Sequence, residues 1–108
     1  MKWPKKHTKN LIYKTLIDAN PKTEEQIKEA VIKLAVKKEL YEFDTDIHPD
    51  AKFADLDLKD QNQINDTLKE LIIDLTEKEL IKVRPDKTMS LTIDGISYVI
   101  NQIPKNFL

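Results

Sequence analysis

Cysteine is absent from the 108 residues, which excludes disulfides, thiolate nucleophiles and thiolate metal sites together. That usage suits a reducing cytoplasm, the expected location, and leaves stability to packing alone. Glycine occurs once, so a glycine-rich phosphate loop is excluded and a mostly helical chain is expected. No apolar run exceeds three residues, Leu71 to Ile73 being one, against about 20 needed to cross a bilayer. No apolar segment follows the first lysines, so neither a membrane partner nor export by a signal is expected. The two histidines, His7 and His48, and the two serines, Ser90 and Ser97, are not grouped as a nucleophile with a base and an orienting residue. The chain is therefore read as non-enzymatic, with no cofactor.

What is present is charge, at 34% of residues, with a net value of −1. That balance is not the strongly basic one of a protein held to nucleic acid mainly through phosphates. Its distribution is uneven. Met1 to Ala19 holds five lysines and one aspartate, whereas Tyr41 to Asp66 holds two lysines and eight carboxylates. Residues 1–7 form a basic arm in which Trp3 stands among Lys2, Lys5 and Lys6, and residues 41–59 form an acidic insertion. A chain of this length makes one domain, 1–108.

Apolar spacing then gives the elements. A first helix runs from near Thr8, with Ile12, Leu16 and Ala19 on one face, and stops at Asn20-Pro21. Thr23 and Gln26 form a capping box for a second helix whose stripe is Ile27, Ala30, Val31, Leu34 and Ala35. Ile32 and Val36 point away from that stripe, as in a helix buried between neighbours or set at a subunit contact. Asp60 and Gln63 offer a cap for a third helix carrying Ile64, Leu68, Leu71, Ile72 and Leu75. Leu80 to Arg84 and Met89 to Thr92, flanking Pro85-Asp86-Lys87-Thr88, make a β-hairpin. A last helix follows Thr92 as N-cap, with Ile96, Val99, Ile100 and Ile103 as its buried stripe and Pro104 as its end.

The stretch Thr67-Leu68-Lys69-Glu70-Leu71 through Glu79-Leu80-Ile81-Lys82-Val83, closing with Ser90-Leu91-Thr92-Ile93-Asp94-Gly95, resembles the winged helix-turn-helix superfamily. The match is to its run of recognition helix, wing and L-T-x-x-G exit, and it covers about Thr23 to Ile103. The resemblance implies a mainly α fold with a small β-hairpin: a three-helix core, a two-stranded wing and a C-terminal helix. It also implies a small DNA-binding transcription regulator or phage accessory factor. Two features depart from the pattern: Glu79 stands where many relatives have glycine, and the acidic insertion replaces the short turn between helices two and three.

On that reading, the DNA-binding residues are Asn62, Asn65 and Lys69 on the third helix and Lys82, Arg84 and Lys87 on the wing. An ordinary solvated face is the alternative, since Asp66, Glu70 and Glu77 bring the wrong sign to a phosphate-lined groove. Ile32, Val36, Ile73, Phe107 and Leu108 make a second apolar surface, for a homodimer or a protein partner. The second function class is accordingly a non-enzymatic interaction or assembly module. Asp44 to Asp50, with His48, sets possible metal ligands on alternate residues, but the proline and the missing final glutamate do not fit a calcium loop, so no metal is expected.

Overall fold

The computed structural model describes residues 5–18, 20–37 and 50–102. Its elements are α1 (Lys5–Leu16), α2 (Glu24–Lys37), a 3-10 turn (Phe53–Asp55), α3 (Leu58–Glu77), β1 (Ile81–Val83), β2 (Met89–Leu91) and α4 (Ile93–Gln102). The protein is mainly helical, with one two-stranded antiparallel sheet.

The capping box of α2 forms as the sequence requires: Gln26 N donates to Thr23 Oγ1 at 3.2 Å and Thr23 N donates to Gln26 Oε1 at 2.9 Å. Two other helix limits differ from the spacing argument. Helix α1 begins at Lys5, taking in residues 5–7 of the expected basic arm, and ends at Leu16. Its end has a local cause, because the Asp18 carboxylate accepts from Asn20 N at 3.0 Å and from Lys22 Nζ at 2.7 Å, an aspartate turn that competes with further helix. Helix α3 is capped by Asp57, whose Oδ1 accepts from Asp60 N at 2.9 Å, so Asp60 sits inside the first turn and is buried.

Helices α1, α2 and α3 pack on one another around a core in which Tyr13, Ile27, Ile32, Ile64, Leu68 and Leu75 are among the fully enclosed side chains. Of the two places open to Ile32, burial between neighbours is the one it takes, and a partner surface is not: it is 0% exposed, because α2 lies against α1, α3 and the 3-10 turn and has little free face. Val36 is half-buried and packs on the same core.

In the hairpin, Ile81 pairs with Leu91, Lys82 with Ser90 and Val83 with Met89. Arg84 N donates to Thr88 O and Lys87 N to Arg84 O, both at 2.9 Å, which closes a three-residue loop, Pro85-Asp86-Lys87, with Lys87 at φ 67°. An unexpected third strand position lies on the other side of β2. Lys22 N donates to Met89 O at 2.9 Å and Met89 N to Lys22 O at 2.7 Å, an antiparallel bridge that ties the α1–α2 connection to the hairpin.

The junction of α3, hairpin and α4 explains the L-T-x-x-G run. Leu80 N donates to Leu75 O and Glu79 N to Thr76 O, both at 3.0 Å, a Schellman end with Glu79 in the left-handed position at φ 60°. Thr92 Oγ1 donates to Glu79 O at 2.6 Å and accepts from Gly95 N at 3.0 Å, so one hydroxyl caps α4 and grips the end of α3. The only glycine is fixed by this approach, since a Cβ at Gly95 would overlap the Leu80 carbonyl oxygen.

Helix α4 does not bury its expected stripe. Val99 is enclosed, but Ile96 is 36% and Ile100 67% exposed, because the inward face is Gly95, Tyr98 and Val99. The Tyr98 ring stands 5.4 Å from that of Tyr13 on α1. Ile103 lies outside the described residues, as do Trp3, Ala19, Pro104, Phe107, Leu108 and the segment 38–49. Among the described residues, no helix is long and apolar enough to cross a membrane.

Candidate nucleic-acid interface

The hairpin projects its cations clear of the core. Lys82, Arg84 and Lys87 are all exposed, and none forms an ion pair with a described residue. Asp86 closes the turn between them, accepting from Thr88 N at 3.0 Å and from Thr88 Oγ1 at 2.6 Å. Those two bonds, with the Arg84 charge, hold the Asp86 carboxyl below its usual range, so it remains an anion beside the three cations. Net charge at the tip is positive all the same. Lys82 and Arg84 also line an open groove of about 640 Å³ between the end of α3, the hairpin and the start of α4, with Ile81, Leu91 and Ile93 as its apolar part.

The outward face of α3 is mixed. Asn62, Lys69 and Ile73 are exposed as the helical spacing implies, and Asp66, Glu70 and Glu77 share that face. Asn65 differs: it is half-buried, and its side-chain oxygen accepts from Lys28 Nζ at 3.3 Å. Lys28 is itself buried, pairs with Glu25 at 3.0 Å and lies 3.8 Å from the centre of the Phe53 ring. Asn65 therefore joins α3 to α2 through Lys28 and has one group fewer for a base edge. Near the start of α3, the Glu29 carboxylate accepts from Phe53 N at 3.2 Å, which pins the end of the acidic connection onto α2.

The candidate DNA residues thus fall into two places. Lys82, Arg84 and Lys87 come together on the hairpin, Asn62 and Lys69 lie along α3, and Asn65 belongs to the α2–α3 contact. The second apolar surface is not assembled as the spacing suggested: Ile32 is interior, Val36 is half-covered, Ile73 is 59% exposed, and Phe107 and Leu108 are outside the described residues. In their stead Ile93, 86% exposed, joins Ile96 and Ile100 on α4, and Val83 stands out from the hairpin. A signal for Ile93 was available, since a residue directly after an N-cap lies in the first open turn, where few neighbours reach it. Val83 follows the alternation of a half-buried strand but sits too near the hairpin tip to meet the core.

Metal chemistry finds no donor set here. Among the described residues no three His, Asp or Glu side chains gather to hold an ion, and of the Asp44 to Asp50 loop only Asp50 is described. Among the described residues the one strongly shifted group is Tyr13, whose hydroxyl is raised to about 12 by burial and by the nearby Tyr98 and Asp74. Its place on α1 against Tyr98 of α4 makes it a packing residue. No protein-family model, no curated protein and no solved structure matches this chain.

Proposed function

We propose that the chain is a winged-helix protein that binds double-stranded DNA, with the wing on the phosphate backbone and α3 lying along the groove. The order of three helices, hairpin and trailing helix supports the winged-helix reading, and the Lys22–Met89 bridge adds a third strand position beside the wing. The observation that carries DNA binding is the cluster of Lys82, Arg84 and Lys87, exposed together at a rigidly closed hairpin tip with no ion-pair partner among the described residues. Cations so placed contact phosphates and set the register of a protein on the duplex. Asn62 and Lys69 are then the α3 side chains within reach of base edges. The action is occupancy of a site, as in a small transcription regulator or phage accessory factor.

Anisotropy of a labelled AT-rich duplex, titrated at low and at near-physiological salt, tests this directly. The expected result is an affinity that falls with salt. The triple substitution Lys82→Ala, Arg84→Ala, Lys87→Ala should lower the salt slope by about one for each cation taken from a phosphate. Absence of binding at low salt would sink the DNA reading. A second reading, a protein-interaction module, is favoured by the α3 face, where Asp66, Glu70 and Glu77 surround the exposed Ile73. Carboxylates around an apolar side chain suit a basic, partly apolar protein surface better than a phosphate backbone.

A further inference from the structure

We infer that the groove between the end of α3, the hairpin and the start of α4 binds a short apolar peptide, its amine between Glu79 and Asp94 and its carboxylate on Lys82 and Arg84. The groove is open and holds about 640 Å³, within the range of small-ligand sites, about 300–1,000 Å³. The buried Ile81 and Leu91 make its apolar floor, and Ile93, 86% exposed, its rim.

Five polar side chains line this groove with their bonding capacity unused. Glu79, Lys82, Arg84 and Asp94 form no side-chain hydrogen bond or ion pair with a described residue, although both signs of charge are present. Water satisfies exposed charges at little cost, so these four alone would say little. Ser90 is different. Strand alternation puts it on the face opposite Met89 and Leu91, it is only 8% exposed, and its hydroxyl has no hydrogen-bond partner among the described residues. Buried hydroxyls are normally paired, so an unpaired one lining a groove is a place for a polar atom of a ligand.

The order of the charges selects the occupant. The bond from Thr92 N to Leu80 O marks the root of the hairpin, and Glu79 and Asp94 are the chain neighbours of that rung. The Lys82–Ser90 rung lies about 7 Å farther towards the tip and the Arg84–Thr88 rung about 13 Å, at about 3.3 Å per residue. The groove is thus acidic at its root and basic towards the tip, with the apolar floor and one hydroxyl between. A dianion would meet the two carboxylates and a dication the two cations, whereas a zwitterion with an apolar body meets neither conflict. A free amino acid carries its charges too close together to span these rungs, and three extended residues reach about 10 Å. Near neutral pH a peptide's α-amine is a cation and its α-carboxyl an anion, and its backbone supplies the partner that Ser90 lacks.

This inference stands whether or not the chain binds DNA, and its test uses no nucleic acid. The isotope-labelled full chain is titrated near neutral pH with the tripeptide Ala-Leu-Ala, up to about 20 mM, and followed by amide NMR shifts. Saturable shifts at Ser90, Leu91 and Asp94 are expected, with a dissociation constant of about 1 mM or below. The N-acetylated and the C-amidated tripeptide each lack one terminal charge and should bind at least about fivefold more weakly. Glu79→Gln with Asp94→Asn should erase the penalty of acetylation and keep that of amidation, and Lys82→Gln with Arg84→Gln should do the reverse. All four positions are exposed, so the fold should persist. Ser90→Ala should weaken binding of all three peptides by about two- to tenfold. Should a variant unfold, the three peptides on the wild-type chain remain decisive. Absence of saturable shifts up to about 20 mM, shifts centred elsewhere, or equal affinity for the free, acetylated and amidated peptides overturns the inference.

Discussion

On α2, Ile27, Val31, Ile32 and Ala35 are all buried, whereas on α4 only Gly95 and Val99 lie inside and Ile93, Ile96 and Ile100 face out. Both helices carry apolar residues over more than one face, and their fates differ because of what surrounds them. Helix α2 is enclosed by α1, α3 and the 3-10 turn, so its second apolar side found partners within the chain. Helix α4 packs against β2 and, through Tyr98, against Tyr13, and covers only its inner edge. Periodicity marks which side chains need cover, and the number of neighbouring elements decides whether the chain itself supplies it.

The largest expected effect breaks the α2 side of this contrast. Ile32→Ala should cost about 2–5 kcal/mol in urea unfolding, as for an aliphatic side chain deleted from a closed core; a cost within experimental error would return Ile32 to the surface. On α4, Gly95→Ala should cost about 1–3 kcal/mol because the added methyl drives the helix off the Leu80 carbonyl. The sign is diagnostic, since the same change at an open helix position stabilises by about 1 kcal/mol.

The inner edge of α4 can be probed through pH. With the folded value for Tyr13 at about 12 against an ordinary 10.0, the phenol ionises more readily in the unfolded chain, so its contribution is intact below pH 10 and is lost as pH rises towards 12. That change should reach about 1–2 kcal/mol in excess of the change shown by Tyr13→Phe, measured by chemical unfolding at both ends of the window. Identical pH profiles for the two proteins would place the hydroxyl in water.

Glu79→Gly relieves a left-handed residue at the end of α3 and should gain about 0.5–1 kcal/mol, seen as a higher melting temperature. The smallest effect belongs to the outer face: Ile100→Ser, at concentrations where the chain is monomeric, should change stability by less than about 0.5 kcal/mol. A cost comparable to that of Ile32→Ala would erase the contrast between the two helices.

Local signals carried far in this protein. The Thr23 and Gln26 box, the Pro85-Asp86-Lys87 turn and the Thr92 cap involve atoms a few residues apart, so their geometry follows from residue type and spacing, and all three form. The cations of the hairpin were legible for the same reason, since a hairpin tip has no core to enter. Asn65 was not, because the Lys28 amine that occupies it comes from another helix.

The order of helices and hairpin, the apolar stripes of α2 and α3 and the cationic hairpin tip thus follow from the amino-acid sequence, because each depends on neighbours along the chain. Folding in three dimensions was needed to place Ile32 inside and Ile93, Ile96 and Ile100 outside, to bridge Lys22 to Met89, and to deny Gly95 a side chain. Each of those depends on which distant segment arrives at a given face, and packing of whole elements, not the pattern within one, settles that.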